Sequence, residues 1–457
     1  MVHKFKQLGY NIVLDADSNG VHVFDDCAFD MLDHITAPLT EDMPAELPEK
    51  LSAYPEEDIR ETYKELYSLY KNGSLFADDD YQKYSETMVK SPVKSMCLNV
   101  AHDCNLRCEY CFAQTGDFGG ERCIMSSETG KKAIDFLIEK SANRENIELD
   151  FFGGEPLMAW DTVVETVNYA RSIEKQHNKN FRFTITTNGV LLDDEKIDYI
   201  NREMVNVVLS LDGRRETTDR IRKTLNGKSA YDVIVPKFQK LVAQRGDKDF
   251  YVRATFTKYN LDFTEDVLHL RDLGFEQLSA EPVVTDEKEP YALTEEDLPR
   301  IFEEYDRLCE LMANRTEKKF NFFHFMVDLD QGPCAIKRLR GCGCGNDYVA
   351  VDPHGDIYPC HQFVGIDKWK MGNLNDGTFN DEIKTYFAKT HLYSKGGCAD
   401  CWAKFYCSGG CNANSFIYEG DCRKPHKLSC ELQRKRLECA LALAVDKVVK
   451  QGNSDVN

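Results

Sequence analysis

Three cysteines lie close together in the stretch VAHDCNLRCEYCFA, residues 100–113: Cys104, Cys108 and Cys111. The spacing Cys-x3-Cys-x2-Cys puts three thiolates on one loop, and clustered thiolates favour zinc or iron–sulfur centres. A [4Fe–4S] cubane wants a terminal ligand on each iron, so three thiolates leave one iron free to bind a substrate or cofactor. A zinc site completed by a fourth ligand such as His102 is the alternative that the spacing leaves open.

A second and denser set of cysteines lies towards the C-terminal end. Of the 18 cysteines in the chain, eleven fall between Cys334 and Cys439. The run CADCWAKFYCSGGC alone supplies four, and Cys342, Cys344 and Cys360 lie upstream of it. Such tight spacing favours metal clusters over disulfides in a reducing compartment. We therefore expect a loop-rich domain whose core is partly inorganic.

The overall composition excludes several classes of function. At 457 residues the chain is long enough for two or three domains. Its formal net charge of −20 argues against a nucleic-acid-binding surface. The sequence does not open on the apolar run of a signal peptide, and no apolar run is long enough to span a membrane. We expect a cytoplasmic protein that binds neither nucleic acid nor membrane.

The elements that must position the first three thiols alternate between strand and helix from about residue 96 to 316. Six strand-like runs occur there: MCLNV, ELDFF, FRFTIT, VNVVLSL, FYVRATFT and EQLSAEPV. Such alternation implies parallel strands with crossover helices, so we predict an α/β fold with a partial (β/α)6 barrel. The cysteine loop follows the first strand, GGEP the second, TNG the third and SLDG the fourth. Because the carboxyl ends of parallel strands meet at one edge, these loops should form one site.

The N-terminal segment differs in pattern from the barrel. YNIVLDAD and GVHVFDD are short β-branched runs joined through SNG, which is typical of a hairpin, and helical patterns ended by Gly73 follow. A hairpin is marginal alone, so it should pack on these helices, with one strand edge left open. We divide the chain into this module (1–90), the barrel (91–320), a cysteine-rich domain (321–445) and a tail (446–457).

The motif CNLRCEYC resembles the signature of radical S-adenosylmethionine (SAM) enzymes. The resemblance implies that the amino and carboxylate groups of SAM chelate the free iron of a [4Fe–4S] cluster. One electron then cleaves SAM, and the resulting 5′-deoxyadenosyl radical abstracts a hydrogen atom from the substrate. The residues that the resemblance assigns to SAM are Tyr110 beside the adenine, Gly153, Gly154 and Glu155 at the amino group, Ser210 and Asp212 at the ribose, and Arg253 at the carboxylate. For the last three, an ordinary turn or surface charge is the alternative.

The segment from about residue 334 to 440 resembles the SPASM domain, which adds auxiliary clusters to peptide-modifying radical enzymes. The resemblance implies three [4Fe–4S] clusters in all, one that binds SAM and two auxiliary. It assigns the first auxiliary cluster to Cys342, Cys360 and Cys411, and the second to Cys398, Cys401, Cys407 and Cys430. Cys342 is preferred to Cys344 because GCG is closer to related maturases there. The fourth ligand of the first cluster stays open between Cys344, Cys334 and a thiolate of the substrate.

Nearly the whole chain resembles the maturases of Six-Cysteines-in-Forty-Five (SCIFF) peptides, through LGYNIVLDADSNGVHVFDD, VAHDCNLRCEYCFA and YPCHQFVG. The N-terminal module resembles the small winged-helix-like domain that binds leader peptides, where an extended leader can add a strand. The resemblance implies Cys-to-Thr (or other acceptor) thioether crosslinks in a ribosomally made, Cys-rich precursor peptide, as in sactipeptides and ranthipeptides. It also implies abstraction of a backbone α-hydrogen and an electron donor such as flavodoxin or ferredoxin.

Two other functions compete with this interpretation. An anaerobic sulfatase-maturating enzyme would oxidise one cysteine or serine to formylglycine. Such enzymes lack the N-terminal extension and carry an aspartate after the cysteine of YPC, where this chain has His361. A cluster-carrying electron carrier without catalysis is the third possibility, and it leaves GGEP and the exposed triad without a purpose.

Overall fold

The computed structural model describes residues 1–85, 90–314, 319–329 and 335–454. Residues 1–85 form a small domain in which a three-stranded antiparallel sheet packs on helices. Its elements are β1 (Val2–Gln7), β2 (Tyr10–Asp15), β3 (Gly20–Phe24), α1 (Asp26–Met31), α2 (Leu47–Lys50), α3 (Glu56–Lys71) and α4 (Gln82–Ser85). This arrangement agrees with the small N-terminal domain that the sequence predicts.

The predicted hairpin is confirmed, since β2 and β3 pair antiparallel across the SNG turn. Sequence analysis missed β1, which pairs with the other side of β2. The stretch VHKFKQ carries only Val2 and Phe5 as large apolar residues, three positions apart, so it lacks the alternation of a half-buried strand. The helix α3 ends at Asn72, and Gly73 follows with a φ of +77°, as the sequence predicts.

The barrel region alternates strands and helices throughout. Its strands are β4 (Ser95–Ala101), β5 (Leu106–Cys108), β6 (Asn146–Gly153), β7 (Asn180–Thr187), β8 (Met204–Ser210), β9 (Arg222–Thr224), β10 (Asp249–Phe256), β11 (Gln277–Pro282) and β12 (Asn321–Phe322). Its helices are α5 (Ser127–Lys140), α6 (Trp160–Ile173), α7 (Asp194–Glu203), α8 (Arg215–Ile221), α9 (Ala230–Ala243), α10 (Phe263–Asp272) and α11 (Leu298–Asn314).

Six strands lie side by side and parallel in the order β4-β6-β7-β8-β10-β11, which confirms the predicted parallel sheet. Hydrogen-bonded strands lie about 4.8 Å apart, so a flat sheet would separate the outer two by about 24 Å. Residues at the carboxyl ends of all six strands nevertheless line a single cavity of about 180 Å³. The sheet therefore curves around that cavity, as a partial barrel does.

The C-terminal domain shares this sheet. Its β13 pairs in parallel with β4, and β14, β15 and β16 continue the sheet to eleven strands, an extension that the sequence did not predict. The elements of this domain are α12 (Ala335–Arg340), β13 (Tyr348–Val351), β14 (Asp356–Tyr358), β15 (Gly372–Asn373), β16 (Thr378–Phe379), α13 (Asp381–Ala388), α14 (Lys404–Cys407), α15 (Asn412–Glu419) and α16 (Lys427–Ser454).

The closing helix α16 packs along α11 and returns the chain to the barrel. It continues to Ser454, so the boundary of the predicted tail at residue 446 falls inside the helix. Within the described residues, none of the helices combines the length and the apolar character that crossing a bilayer requires.

The N-terminal domain is anchored on the C-terminal domain by a buried ion pair. The side chain of Lys404 is 3% exposed, and its Nζ lies 2.6 Å from Asp17 and 2.7 Å from Asp79. Next to it, the ring of Trp402 stacks on His3 with centroids 3.7 Å apart. Both Trp402 and Lys404 belong to the cysteine-rich run 398–411, so this run is held directly against the N-terminal domain.

We predict that Lys404→Met destabilises this contact by about 3–5 kcal/mol, because it removes the buried cation that joins Asp79 to Asp17, although Asp17 keeps its pair with the amino terminus of Met1. Urea unfolding of the reconstituted protein should show an earlier first transition. Lys427→Met is the matched control, since the side chain of Lys427 is 70% exposed and pairs with Glu295 at the surface, where a pair contributes about 0–1 kcal/mol. Equal urea midpoints for both variants would contradict the anchoring role.

Candidate functional site

The cavity inside the curved sheet brings together most of the residues that the sequence singled out. It is lined by Cys104, Cys108, Cys111, Tyr110, Gly153, Gly154, Glu155, Ser210 and Arg253. Residues from the C-terminal domain, among them His361, close one side of it. Asp212 is fully buried behind the lining, and His102 packs against the ring of Phe118 instead of lining the cavity. His102 therefore lies outside the lining that contains the three thiols.

The cysteine loop presents thiols that need a metal to ionise. The Sγ of Cys104 accepts from the backbone N–H of Leu106 at 3.4 Å and from Asn188 Nδ2 at 3.6 Å. Burial raises the pKa of Cys104 to about 12 and that of Cys108 to about 12. A metal-bound thiol is deprotonated outright. Binding a cluster would therefore ionise these thiols, which burial alone keeps protonated. The loop is chemically suited to the [4Fe–4S] cluster that the spacing predicts.

The GGEP loop is locked against the cysteine loop by its backbone. Gly154 N–H donates to Ala101 O at 2.7 Å, and Glu155 N–H donates to Asp103 O at 2.9 Å. A side chain at Gly154 would overlap the carbonyl oxygen of Asp103, and Gly153 has a φ of +137°, so both positions require glycine. The two glycines therefore let the second strand's loop approach the thiols closely.

Glu155 is a buried acid that faces the cavity. Its carboxylate accepts from Thr187 Oγ1 at 2.6 Å, from the N–H of Asn188 at 2.8 Å and from the N–H of Leu157 at 3.1 Å. Burial raises its pKa to about 7, against which these hydrogen bonds act. A carboxylate offers about four acceptor sites, so one remains for an amino group in the cavity. Thr187 and Asn188 belong to the TNG turn, whose supporting role the sequence did not specify.

Asp212, which the resemblance places at the ribose, has its acceptors occupied by neighbouring groups of the protein. Its oxygens accept from Tyr110 OH at 2.9 Å, from Arg222 Nε and Nη2 at 2.8 and 3.0 Å, and from the N–H of Thr255 at 3.0 Å. With its acceptors occupied, Asp212 holds Tyr110 and Arg222 in place instead of facing a ligand. Sequence analysis missed Arg222, which lines the cavity, because it sits in a short strand far from the recognised motifs.

Arg253 presents its guanidinium to the cavity. Within the described part of the chain its guanidinium makes no hydrogen bond or ion pair, and its side chain is exposed to the cavity. Burial raises the pKa of the neighbouring Glu281, but His324, Arg253 and Arg436 outweigh it and hold that pKa below its usual range. An unpaired guanidinium in such a place suits a carboxylate, as the sequence predicts.

Two further groups of thiols lie in the C-terminal domain. Four of them line one cavity of about 250 Å³: Cys398, Cys401, Cys407 and Cys430. A second group interacts electrostatically across the base of the sheet: Cys342, Cys344, Cys360 and Cys411. The interaction with Cys344 lowers the pKa of Cys360, while burial raises the pKa of Cys344. The structure thus puts Cys344 beside the three predicted ligands, whereas Cys334 lies outside the described residues.

Residues 98–273 match the radical SAM superfamily, and residues 342–402 match an iron–sulfur cluster-binding domain, SPASM. The chain therefore contains a radical SAM domain and a SPASM domain. This confirms the resemblance seen in the sequence, and it identifies SAM and a [4Fe–4S] cluster as cofactors of the barrel.

Several characterised proteins are similar to this radical SAM protein. The mycofactocin maturase MftC of Mycolicibacterium smegmatis is 29% identical and covers 70% of this chain and 79% of its own length. The cysteine-type anaerobic sulfatase-maturating enzyme of Clostridium novyi is 24% identical and covers 68% of this chain and 86% of its own length.

Two solved structures show the same fold. Native anSMEcpe with bound AdoMet has a TM-score of 0.65 at 20% identity, covering 78% of this chain and 100% of its own. Streptococcus suis SuiB bound to precursor peptide SuiA has a TM-score of 0.53 at 14% identity, covering 93% of this chain and 97% of its own.

We predict that Glu155 makes SAM binding depend on pH. The carboxylate, not the acid, accepts from the SAM amino group, and its pKa of about 7 means that it ionises as the pH rises from 6 to 8. The affinity of the wild type relative to Glu155→Gln should therefore increase about tenfold over that range. Titration of SAM itself cancels in this ratio. Equilibrium binding to the oxidised, reconstituted protein measures it, and a ratio that stays constant with pH would rule out the pairing.

We also predict that Cys344 is the fourth ligand of its thiol group. Cys344→Ala should lower the iron and acid-labile sulfide content by up to one cluster, because one corner of a cubane loses its thiolate. Cys309→Ala is the control, since this buried thiol packs between α11 and α16 and bonds to Cys439 O at 3.6 Å. Full iron content and an unchanged EPR spectrum in Cys344→Ala would leave the fourth position to another group.

Proposed function

We propose that this protein installs Cys-to-Thr (or other acceptor) thioether crosslinks in a ribosomally synthesised, Cys-rich precursor peptide. The observation that carries the proposal is an N-terminal sheet with an open edge, anchored on a thiol-rich domain. In the order β1-β2-β3, no other described strand pairs with the outer side of β3. The opposite edge is covered, because β1 contacts α16 and His3 bonds to Glu438 at 3.0 Å.

The free edge of β3 is suited to an extended peptide. Val23 on this strand is 46% exposed, so the edge combines unpaired main-chain groups with an apolar contact. A leader peptide can add to such an edge through main-chain hydrogen bonds, while side-chain contacts select its sequence. An exposed strand edge is otherwise a liability that proteins usually cover. We infer that the N-terminal domain binds the leader of the precursor.

The structural comparisons support this interpretation over a sulfatase-maturating one. The anSMEcpe structure aligns over its entire length and still leaves about a fifth of this chain unmatched, since it covers 78%. SuiB, solved with a precursor peptide, covers 93%. The part of the chain that anSMEcpe leaves unmatched is similar in length to the N-terminal domain. The sulfatase-maturating relative at 24% identity keeps formylglycine formation as the second candidate.

The environment of His361 also bears on the choice. The imidazole lines the SAM cavity, and its Nδ1 lies 3.3 Å from Tyr348 OH. Burial and, to a smaller extent, the charge of Arg253 lower its pKa to about 4, so the ring is neutral at pH 7. Sulfatase-maturating enzymes carry an aspartate at this position, after the cysteine of YPC. A neutral imidazole differs from that aspartate. A neutral ring here can orient a peptide without taking a proton from it.

We assign three [4Fe–4S] clusters: one on the barrel loop and one on each thiol group of the SPASM domain. When bound, SAM and its cluster supply the radical that removes a substrate hydrogen, and the auxiliary clusters supply sites for the electron released on carbon–sulfur bond formation. In the barrel, Glu155 and Arg253 would hold the two ends of the amino-acid part of SAM, and Tyr110 would lie beside its adenine. A flavodoxin or ferredoxin would provide the first electron.

The product distinguishes the two candidate activities. Anaerobic turnover with a Cys-rich precursor peptide should remove two hydrogen atoms per crosslink and block alkylation of one thiol for each, as mass spectrometry can record. Conversion of a cysteine to formylglycine would instead remove sulfur from the peptide. That outcome would replace the proposed function with the second candidate.

We predict that Val23→Asp weakens binding of the full-length precursor about tenfold or more, because it removes an apolar contact and adds a desolvated charge at the β3 edge. Affinity for a leaderless peptide should not change. The control is Leu311→Asp, which alters a similarly exposed residue (41%) on the outer helix α11. Calorimetry with both peptides measures this, and equal weakening in the two variants would refute a leader site at β3.

A further inference from the structure

A buried lysine lies between the two thiol groups of the SPASM domain. Lys395 is 4% exposed, three residues before Cys398. Its Nζ donates to Gly409 O at 2.8 Å and lies 3.4 Å from Gly410 O. These two glycines belong to the short loop between Cys407 and Cys411, which are assigned to different clusters. Lys395 thus spans the connection from one cluster site to the other.

No acidic side chain compensates this ammonium. Among the described residues, no aspartate or glutamate forms an ion pair with Lys395, and the ionisable groups whose charge would act on it are thiols: Cys398, Cys411, Cys407 and Cys422. Lys404 provides the contrast, since it is equally buried and has two carboxylates within 2.7 Å. Burying an unpaired charge is costly, so proteins normally supply a partner. The missing anion must come from something that the thiols bind.

An iron–sulfur cluster ligated by thiolates supplies such an anion. An ammonium carries three donors, and the two glycine carbonyls take at most two, so one N–H remains for a sulfur. Hydrogen bonds to sulfur and nearby charge are among the factors that set the reduction potential of a cluster. A fixed positive charge favours the reduced state, which carries one more negative charge.

We propose that Lys395 is a positioning residue that acts as the shared counter-charge of the two auxiliary clusters and raises their reduction potentials. The inference rests on the proposed function in one respect, the presence of both auxiliary clusters. It adds an electrostatic role for a side chain that is not a ligand.

The test is a potentiometric EPR titration of the full chain. A Cys104→Ala, Cys108→Ala, Cys111→Ala background removes the SAM-binding cluster, so that only auxiliary signals remain. Lys395→Met should shift the reduction equilibrium of at least one auxiliary cluster about tenfold towards the oxidised state. For a one-electron couple, this shift lowers the reduction potential by about 59 mV. Lys427→Met is the matched control, because it removes an exposed charge that lines the cavity of Cys398, Cys401, Cys407 and Cys430. Its potential should stay close to that of the background.

The outcomes separate this inference from the proposed function. Unchanged potentials in Lys395→Met at full iron and sulfide content would overturn the counter-charge role while leaving the clusters in place. If Lys395→Met cannot hold the clusters, Lys395→Arg decides: retention of both supports a requirement for charge, and loss of both indicates packing and overturns the inference. Absence of auxiliary clusters from the wild type would overturn the inference and the cluster assignment together.

Discussion

The buried carboxylate of Asp212 is the interaction on which the rest of the site depends. It accepts hydrogen bonds from Tyr110 in the cysteine loop, from Arg222 on β9 and from the backbone of Thr255 on β10. These three segments are remote in sequence and would otherwise be free to shift. Removal of Asp212 would also leave Arg222 buried without an anion, which is more costly than the loss of the pair itself. The position of the cluster loop over the sheet therefore depends on this carboxylate.

Direct contacts also join the three domains to one another. The SPASM domain is continuous with the barrel, because β13 adds to β4 in the same sheet. The N-terminal domain in turn is fastened to the cysteine-rich run by Lys404 and Trp402. The open β3 edge, the two thiol groups of the SPASM domain and the barrel cavity thus lie on one connected framework.

Local patterns in the sequence predicted much of this arrangement. The six barrel strands follow from their apolar runs, and convergence of their loops follows from parallel topology. The first cysteine triad follows from its spacing, the division of the C-terminal cysteines was implied by the SPASM resemblance, and that resemblance was confirmed over the barrel and the SPASM segment. These features depend on residues close in sequence or on a repeated period, which a single chain displays directly.

Long-range pairings could not be predicted in the same way. Neither the pairing of Asp212 with Arg222 nor that of Lys404 with Asp17 and Asp79 leaves a periodic signal. Asp212 was expected to face the ribose, yet its acceptors are taken by neighbours that no motif identifies. The β1 strand lacks alternation, and β13 joins the barrel through a partner about 250 residues earlier in the sequence. Lys395 stands out only once its burial is known.

The most direct test of thioether formation follows the abstracted hydrogen. The precursor peptide is made with deuterium at the α-carbon of its threonines, and in a second preparation at the β-carbon of its cysteines. After anaerobic turnover with SAM and a reductant, the 5′-deoxyadenosine is analysed by mass spectrometry. The account predicts deuterium transfer from the threonine α-carbon and none from the cysteine β-carbon. Transfer from the cysteine β-carbon alone would contradict it, because that carbon becomes the aldehyde of formylglycine.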